Sequence, residues 1–232
     1  MTDQEIRTLI DDTLNNLPAV TIPGVYWGAC DLAYHPDFGQ RYNRGIAVIL
    51  PFYRMMTLND YSESEFALLE MTTYRYRLEV GNALTSAFTR AGIDFEIPMV
   101  PKNHDVVYRV PLSVKDIAVH AGLGWIGRND LLITPKYGPR VSMVGVVLNC
   151  SELSVGTPVT ESGCGECTAC VGACPFHNIT GELWAPGRPR EERVNYVRCS
   201  EARAKAKSKL GRKLACGKCI CACPVGSPAQ AG

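Results

Sequence analysis

The sequence lacks long hydrophobic runs, histidines at metal-ligand spacing and any strong excess of charge. No apolar segment approaches the ~18 residues that a transmembrane helix needs. The N-terminus is acidic and amphipathic, with a Thr2/Glu5 capping box, which is unlike a signal peptide. We therefore expect a cytoplasmic protein with no membrane partner. A net charge of +1 and 46% hydrophobic residues exclude a disordered chain, and 232 residues can bury one substantial core and a second small domain.

A dinucleotide-binding context is also missing, although Gly122, Gly124 and Gly127 have the G-x-G-x-x-G spacing. That motif requires a strand before the first glycine and a helix after the last. Here Ser113 opens a helical pattern that Gly122 ends as a left-handed residue, and a short strand broken by Pro135 follows. The spacing therefore does not predict an NAD or FAD site.

Strands alternate with helices over residues 1–155. The segments 24–30 and 45–52 are predicted strands, and two further strands are expected from "DFEIPMV" and "VSMVGVVLNC". A long helix opens at a Ser62/Glu65 capping box and closes at Gly92. The predicted fold class is α+β, with one α/β domain at 1–155 and a small domain at 156–232 that is stabilised by metal.

Cysteine carries the strongest functional signal, because nine of the eleven cysteines follow residue 160. A reducing cytosol and these spacings favour metal binding over disulfides. The first run, "CGECTACVGACP", has the C-x₂-C-x₂-C-x₃-C-P spacing, in which three thiolates hold one iron–sulfur cluster and the fourth turns to another. A tetrahedral zinc site would not explain such a run.

The second run, "CGKCICACP", is imperfect because residue 222 is alanine where a thiolate is expected. The isolated Cys199 can fill the missing place, and Cys221 is the alternative. Cys30, Cys150 and Cys221 are otherwise interpreted as buried, inert thiols. Crossed ligation then predicts two [4Fe–4S] clusters, the first on Cys164, Cys167, Cys170 and Cys223 and the second on Cys174, Cys199, Cys216 and Cys219.

A basic segment lies between the cysteine runs. Residues 188–218 contain eleven Lys or Arg against three Glu. Such cations can offset the negative charge of a cluster. They can also form a docking surface for an acidic redox partner or for RNA phosphates.

The segment "AGLGWIGRNDLLITPKYGPR", followed by this cysteine array, resembles the epoxyqueuosine reductase and reductive dehalogenase family. The resemblance implies a nitroreductase-like α/β domain that binds cobalamin, followed by a ferredoxin-like domain with two [4Fe–4S] clusters. Because the chain ends eight residues after Pro224, we expect a short form without the C-terminal helical-repeat region. The residues assigned to cobalamin by this resemblance are Gly122, Gly124, Trp125, Gly127 and Asn129.

The same resemblance identifies candidate catalytic residues. Tyr108 stands where the epoxyqueuosine branch has its catalytic Asp, and dehalogenases use a Tyr as the proton donor. A phenol titrates near ~10, so it needs a nearby cation to stabilise its anion. Arg109 and Arg128 are assigned to the catalytic site, with Lys102 and Arg140 as further candidates for this cation. A structural Tyr is the alternative.

The sequence thus predicts an oxidoreductase in which two clusters pass electrons to cobalamin, which reduces a small-molecule substrate of unknown identity. One alternative is an electron-transfer protein that reduces a corrinoid protein or metalloenzyme. A third is a reductase of a modified nucleoside, with nucleic acid as a partner. In each case the expected electron donor is a low-potential carrier such as ferredoxin or flavodoxin.

Overall fold

The computed structural model describes residues 1–17, 24–98 and 110–227, apart from the side chains of residues 208 and 209. Its helices are α1 Asp3–Asn15, α2 Phe38–Arg41, α3 Glu63–Arg90, α4 Val114–His120, α5 Ala169–Ala173, α6 Tyr196–Ala204, α7 Lys207–Leu210 and α8 Lys218–Cys221. Its strands are β1 Tyr26–Asp31, β2 Arg44–Pro51, β3 Phe95–Glu96, β4 Trp125–Ile126, β5 Leu132–Ile133 and β6 Val141–Leu148. A single 3₁₀ turn spans Arg190–Glu192. No helix in these ranges is long and apolar enough to cross a membrane.

Contacts divide the chain into two compact units. The sheet unit comprises Met1–Pro51, Thr73–Leu123 and Ser142–Val159. The cysteine unit comprises Phe52–Thr72, Gly124–Val141 and Thr160–Gly232. Two internal segments therefore cluster with the cysteine-rich part, a division that local sequence patterns do not indicate. The predicted domains, 1–155 and 156–232, stay a prediction.

The sheet unit is built around four strands in the order β1-β2-β6-β3. Strands β1 and β2 are antiparallel, with Tyr26 opposite Ile49 and Asp31 opposite Arg44. After its first residue β2 is buried throughout, as its continuous apolar sequence predicts. Helix α1 and the later part of α3 pack on the sheet through apolar side chains that include Ile6, Ile10, Val80, Leu84 and Phe88.

Local sequence signals position the helices as expected. The hydroxyl of Ser62 accepts from the backbone N–H of Glu65, which caps the start of α3. Ser113 caps α4 by accepting from Lys115 N. Gly122 follows α4 with φ of 76°. A Cβ at this residue would lie 2.7 Å from the carbonyl oxygen of Thr157, so a glycine is required there. The helix before Gly122 confirms that the dinucleotide motif lacks its strand.

The cysteine unit has little regular structure. Its two-stranded sheet pairs Trp125 with Ile133 and Ile126 with Leu132. Helix α5 packs against α8, so the two cysteine runs lie side by side. An apolar cluster of Phe52, Met56, Phe66, Leu69 and Cys221 supports α8. The mixed α/β class with a sheet is confirmed.

Candidate metal centre

Four cysteines from both runs influence one another and form the first thiol set. Burial raises the pKa of Cys170 to about 11, and the nearby Cys164, Cys223 and Cys167 raise it further. Burial is also the main reason that the pKa of Cys223 is raised, with Cys164 and Cys167 adding to the effect. The chain therefore brings Cys223 back to the first run.

The second thiol set is centred on Cys219. Burial raises its pKa, and Cys216, Cys170, Cys174 and Cys199 act in the same direction, so Cys219 is near thiols of both sets. The pKa of Cys199 is raised by burial, while the nearby Arg203 lowers it. Helix α6 supplies Cys199, the isolated thiol of the sequence. This grouping is the one that crossed ligation requires, and ligation itself stays a prediction.

The two thiol sets consist of cysteines alone. Among the described residues, no three His, Cys, Asp or Glu side chains are arranged to hold one metal ion. In a cubane each thiolate binds a different iron, so its sulfurs lie farther apart than ligands that share one zinc at ~2.3 Å. An all-thiolate donor set is typical of iron–sulfur sites.

The cysteine unit contains one N–H that donates to a thiol and two buried N–H groups without a partner. The backbone N–H of Asn178 donates to Cys174 Sγ at 3.4 Å. Trp125 Nε1 and Arg193 Nη1 are buried and have no hydrogen-bond partner within the described part of the chain. A buried donor without a partner costs free energy, whereas cluster sulfurs accept such hydrogen bonds and are tuned by them. The residues present therefore fit iron–sulfur clusters.

Arg128 lies in the cysteine unit and forms hydrogen bonds with the loops around the first cysteine run. Its Nε donates to the carbonyl oxygen of Cys167 at 3.0 Å, and its two terminal nitrogens donate to the carbonyls of Gly181 and Gly165. The adjacent Asn129 donates to the carbonyl of Cys219 at 3.2 Å. These contacts explain both residues as supports of the cysteine loops.

Arg140 performs the same task for the second run and is completely buried. It donates from Nε to Met56 O at 2.9 Å and from Nη1 to Val225 O at 3.1 Å. Its Nη2 donates to the carbonyls of Cys221, at 3.1 Å, and Cys223, at 3.0 Å. The sequence indicated Arg140 only as a candidate for the cation beside Tyr108. Its position directly before the apolar strand β6 was the available signal that it could be buried.

A buried ion pair is the feature that sequence analysis missed. Arg193 Nη2 lies 2.7 Å from Asp130 Oδ1, and the two side chains are 4% and 2% exposed. Tyr196 also donates its hydroxyl to Asp130. Asp130 has a left-handed φ of 57°, which Asp and Asn tolerate better than most residues. Nothing in the local pattern of "RND" or "EERVNY" indicates this pairing.

The remaining residues assigned to cobalamin have packing roles of their own. A Cβ on Gly124 would lie 2.2 Å from Ile133 O, and one on Gly127 would lie 2.8 Å from a side-chain atom of Ile133. The ring of Trp125 packs closely on Gly163. Together with Gly122, these residues are explained without a cofactor. Their assignment to cobalamin therefore stays a prediction.

The catalytic candidates Tyr108 and Arg109, and also Lys102, lie outside the described residues. The cysteines left unassigned are placed as follows: Cys30 is buried, Cys150 is half-buried, and Cys221 is 4% exposed. Burial raises the pKa of Cys30 to about 12 and that of Cys221 to about 11. Thiols in such surroundings are unreactive.

Sequence comparisons identify relatives of one kind over part of the chain. An epoxyqueuosine reductase of Listeria monocytogenes is 42% identical over 71 residues, which are 31% of this chain and 18% of that protein. The Bacillus subtilis epoxyqueuosine reductase is 32% identical over 123 residues, or 49% of this chain and 29% of that protein. The matched segments thus span less than a third of these relatives. No family model matches the chain.

Structure comparisons extend the similarity to nearly the whole chain. An epoxyqueuosine reductase solved with an epoxyqueuosine-modified tRNA stem loop has a TM-score of 0.57 at 16% identity, covering 95% of this chain and 66% of that one. A catabolic reductive dehalogenase in complex with 3-bromo-4-hydroxybenzoic acid has a TM-score of 0.63 at 18% identity, covering 88% of this chain and 30% of that one. The similarity to epoxyqueuosine reductases and reductive dehalogenases is confirmed, and at these identities the structures establish a shared fold.

Proposed function

We propose that this protein is an iron–sulfur oxidoreductase in which two [4Fe–4S] clusters deliver single electrons to a reaction site. The observation that supports the proposal is that thiols of both cysteine runs and the isolated Cys199 lie close enough to influence one another. In the proposed arrangement the cysteine unit is a ferredoxin-like domain. The expected donor of electrons is a low-potential carrier such as ferredoxin or flavodoxin, acting in the cytoplasm.

The electron acceptor in this proposal is cobalamin, which would supply a low-potential metal able to reduce an organic substrate. Its support is the resemblance of the sequence motif. A further reductive dehalogenase of similar fold, with a TM-score of 0.59, is described as B12-dependent. The nitroreductase-like sheet unit would bind the cofactor, with the loop that contains Gly122 and Gly124 as the candidate contact.

A modified nucleoside is the favoured substrate class. All the sequence relatives described above are epoxyqueuosine reductases, and one solved structure of that enzyme holds a modified tRNA stem loop. The basic segment at 188–218 offers cations for RNA phosphates. This substrate replaces the unidentified small molecule that the sequence alone favoured.

Metal analysis tests the clusters. Anaerobically reconstituted protein should contain ~8 Fe and ~8 sulfide per chain. Cys199→Ala should lose about half of the iron, because one cluster loses a ligand, while the matched variant Cys150→Ala should keep all of it. Stoichiometric zinc without sulfide would contradict the proposal, and iron loss in Cys221→Ala but not in Cys199→Ala would move the ligand role to Cys221.

The second test concerns the substrate and Tyr108. Reduced protein loaded with cobalamin should convert an epoxyqueuosine-containing stem loop rather than 3-bromo-4-hydroxybenzoate. Tyr108→Phe should lower turnover by ~10²-fold or more if the phenol donates the proton, with cluster content unchanged. Arg109→Gln should also lower turnover if it stabilises the phenolate. A wild-type protein that binds no cobalamin and reduces neither compound would favour a dedicated electron-transfer protein instead.

A further inference from the structure

Arg140 is a completely buried cation. Among the described residues, no Asp or Glu lies within ion-pair distance of its guanidinium, which donates hydrogen bonds to main-chain carbonyls. Asp60 is the carboxylate that acts on it electrostatically, but Asp60 is partly exposed and is paired with Arg54 at 2.9 Å. A guanidinium removed from water costs several kcal/mol unless an anion compensates it.

The groups that offset the burial of Arg140 are cysteines of the second run. Cys223 and Cys221 are the groups that most favour the charged form of Arg140, against the opposing effect of its burial. Cys223 belongs to the first thiol set, and the Nη2 of Arg140 donates to its carbonyl. A cluster held by four thiolates carries a negative charge that grows by one on reduction. A fixed cation beside it therefore stabilises the reduced form more than the oxidised form.

We propose that Arg140 is the buried counter-charge of the cluster on Cys164, Cys167, Cys170 and Cys223, and that it raises the reduction potential of this cluster. Arg140 is a positioning residue here, since it acts through the backbone of the second run and through its charge. The inference rests on the proposed clusters, although it needs neither cobalamin nor a substrate.

The second thiol set has a different electrostatic environment. The other buried guanidinium of the cysteine unit, Arg193, is already neutralised by Asp130. The cations that act on Cys199 are Arg203 and Lys213, whose side chains reach solvent. Water and salt screen such charges far more than a buried one. The cluster of the first set should consequently accept an electron at the higher potential of the two.

The test compares Arg140→Met with Arg140→Lys in the full, anaerobically reconstituted chain, without cobalamin or substrate. A redox titration followed by electron paramagnetic resonance measures each cluster. Arg140→Met should lower the reduced-to-oxidised ratio of one cluster at least tenfold at a fixed potential, which is a shift of about 59 mV for one electron. Arg140→Lys should stay within threefold of wild type because it keeps the charge. Lys205→Met, which removes an exposed charge from the same unit, should change the ratio less than twofold.

The lysine variant separates charge from structure. One ammonium group cannot replace a fork that reaches four carbonyls, so a purely structural role predicts that the Lys and Met variants are equally impaired. If Arg140→Met loses the cluster, retained iron in Arg140→Lys still supports the counter-charge. Equal behaviour of the two variants, whether both like wild type or both defective, overturns the inference. A wild-type protein without iron and sulfide would overturn the proposed function and this inference together.

Discussion

The sheet unit and the cysteine unit are stabilised by different kinds of contact. In the sheet unit, strands β1, β2 and β6 and helices α1 and α3 share one apolar core. In the cysteine unit, smaller apolar clusters are accompanied by most of the buried polar groups. Seven polar or charged residues are buried in the part of the chain that the structure describes, and all but Thr73 belong to the cysteine unit: Asn129, Asp130, Thr134, Arg140, Asn178 and Arg193.

This difference separates two sources of stability. Apolar burial contributes about 25 cal/mol for each Å² and needs no cofactor, so the sheet unit has what it requires to fold. Buried guanidinium groups and thiols are costly until their charges are matched. The cysteine unit should therefore depend on its metal, as small metal-stabilised domains do.

Removing iron should have the largest effect, because it should destabilise the cysteine unit and leave the sheet unit folded. We expect amides of α5 and α8 to exchange with solvent at least ~100-fold faster in the iron-free protein, because thiols and cations lose their matched charges. Amides of β2 and β6 should keep their protection. Hydrogen exchange followed by mass spectrometry measures both regions at once. Equal loss of protection in the two units would show that they share one source of stability.

Two single substitutions, one in each unit, should have a smaller effect that still distinguishes the two sources of stability. Asp130→Asn keeps the shape and tolerates the left-handed backbone, but leaves Arg193 buried without its anion, which should cost about 3–5 kcal/mol. Phe88→Ala should cost a similar ~3–5 kcal/mol in the sheet unit by opening a cavity. Only Asp130→Asn should reduce the iron content. Iron loss in Phe88→Ala would contradict the separation.

The smallest predicted effect is a change in the thermal stability of the protein when the carboxylate of Glu63, at the start of α3, is removed. Hydrogen bonds from Arg212, at 2.6 and 2.8 Å, hold the pKa of this carboxyl below its usual value. A lowered pKa in the folded state means stability that is present above the unfolded pKa, ~4.3, and is lost as the pH falls. Glu63→Gln should lower Tm by about 1–2 °C at pH 7 and by less near pH 3.

Glu65→Gln is the matched control because it removes a carboxylate from the same helical turn. Its partner Arg54, 3.2 Å away, is exposed, so the pair should contribute little. Thermal unfolding at several pH values measures both variants. A drop in Tm for Glu65→Gln as large as that for Glu63→Gln would assign the effect to the helix terminus rather than to Arg212.

Local patterns predicted the elements whose signals are contiguous in sequence. The apolar run of β2, the capped start of α3 and the left-handed Gly122 are each determined by neighbouring residues, and the structure confirms them. The expected strand at "DFEIPMV" is described only as the two residues of β3. Residues 52–72 and 124–141 cluster with the cysteines through distant contacts, which no local period records.

The features of the candidate site also divide into those that the sequence predicts and those that it does not. Cysteine spacing and the isolated Cys199 lead to the two thiol sets, because ligand geometry imposes spacing on the sequence. The carbonyl partners of Arg140 and the pairing of Asp130 with Arg193 could not be predicted, since charged residues are assigned to the surface by default. The carbonyls that Arg140 contacts lie 81 to 85 residues away from it in the sequence, and Arg193 lies 63 residues away from Asp130.

The long-range closure of the cysteine unit has a consequence for biosynthesis. Cys164 and Cys223 are separated by 59 residues in sequence. At ~5–20 residues per second, translation leaves the first cysteines without their distant neighbour for about 3–12 s. Arg140 lacks two of its hydrogen-bond acceptors for even longer, because the carbonyls of Cys221 and Cys223 follow it by 81 and 83 residues. During that interval the nascent chain exposes thiols to oxidation, and in the proposed arrangement the clusters would be completed only after the second cysteine run has emerged.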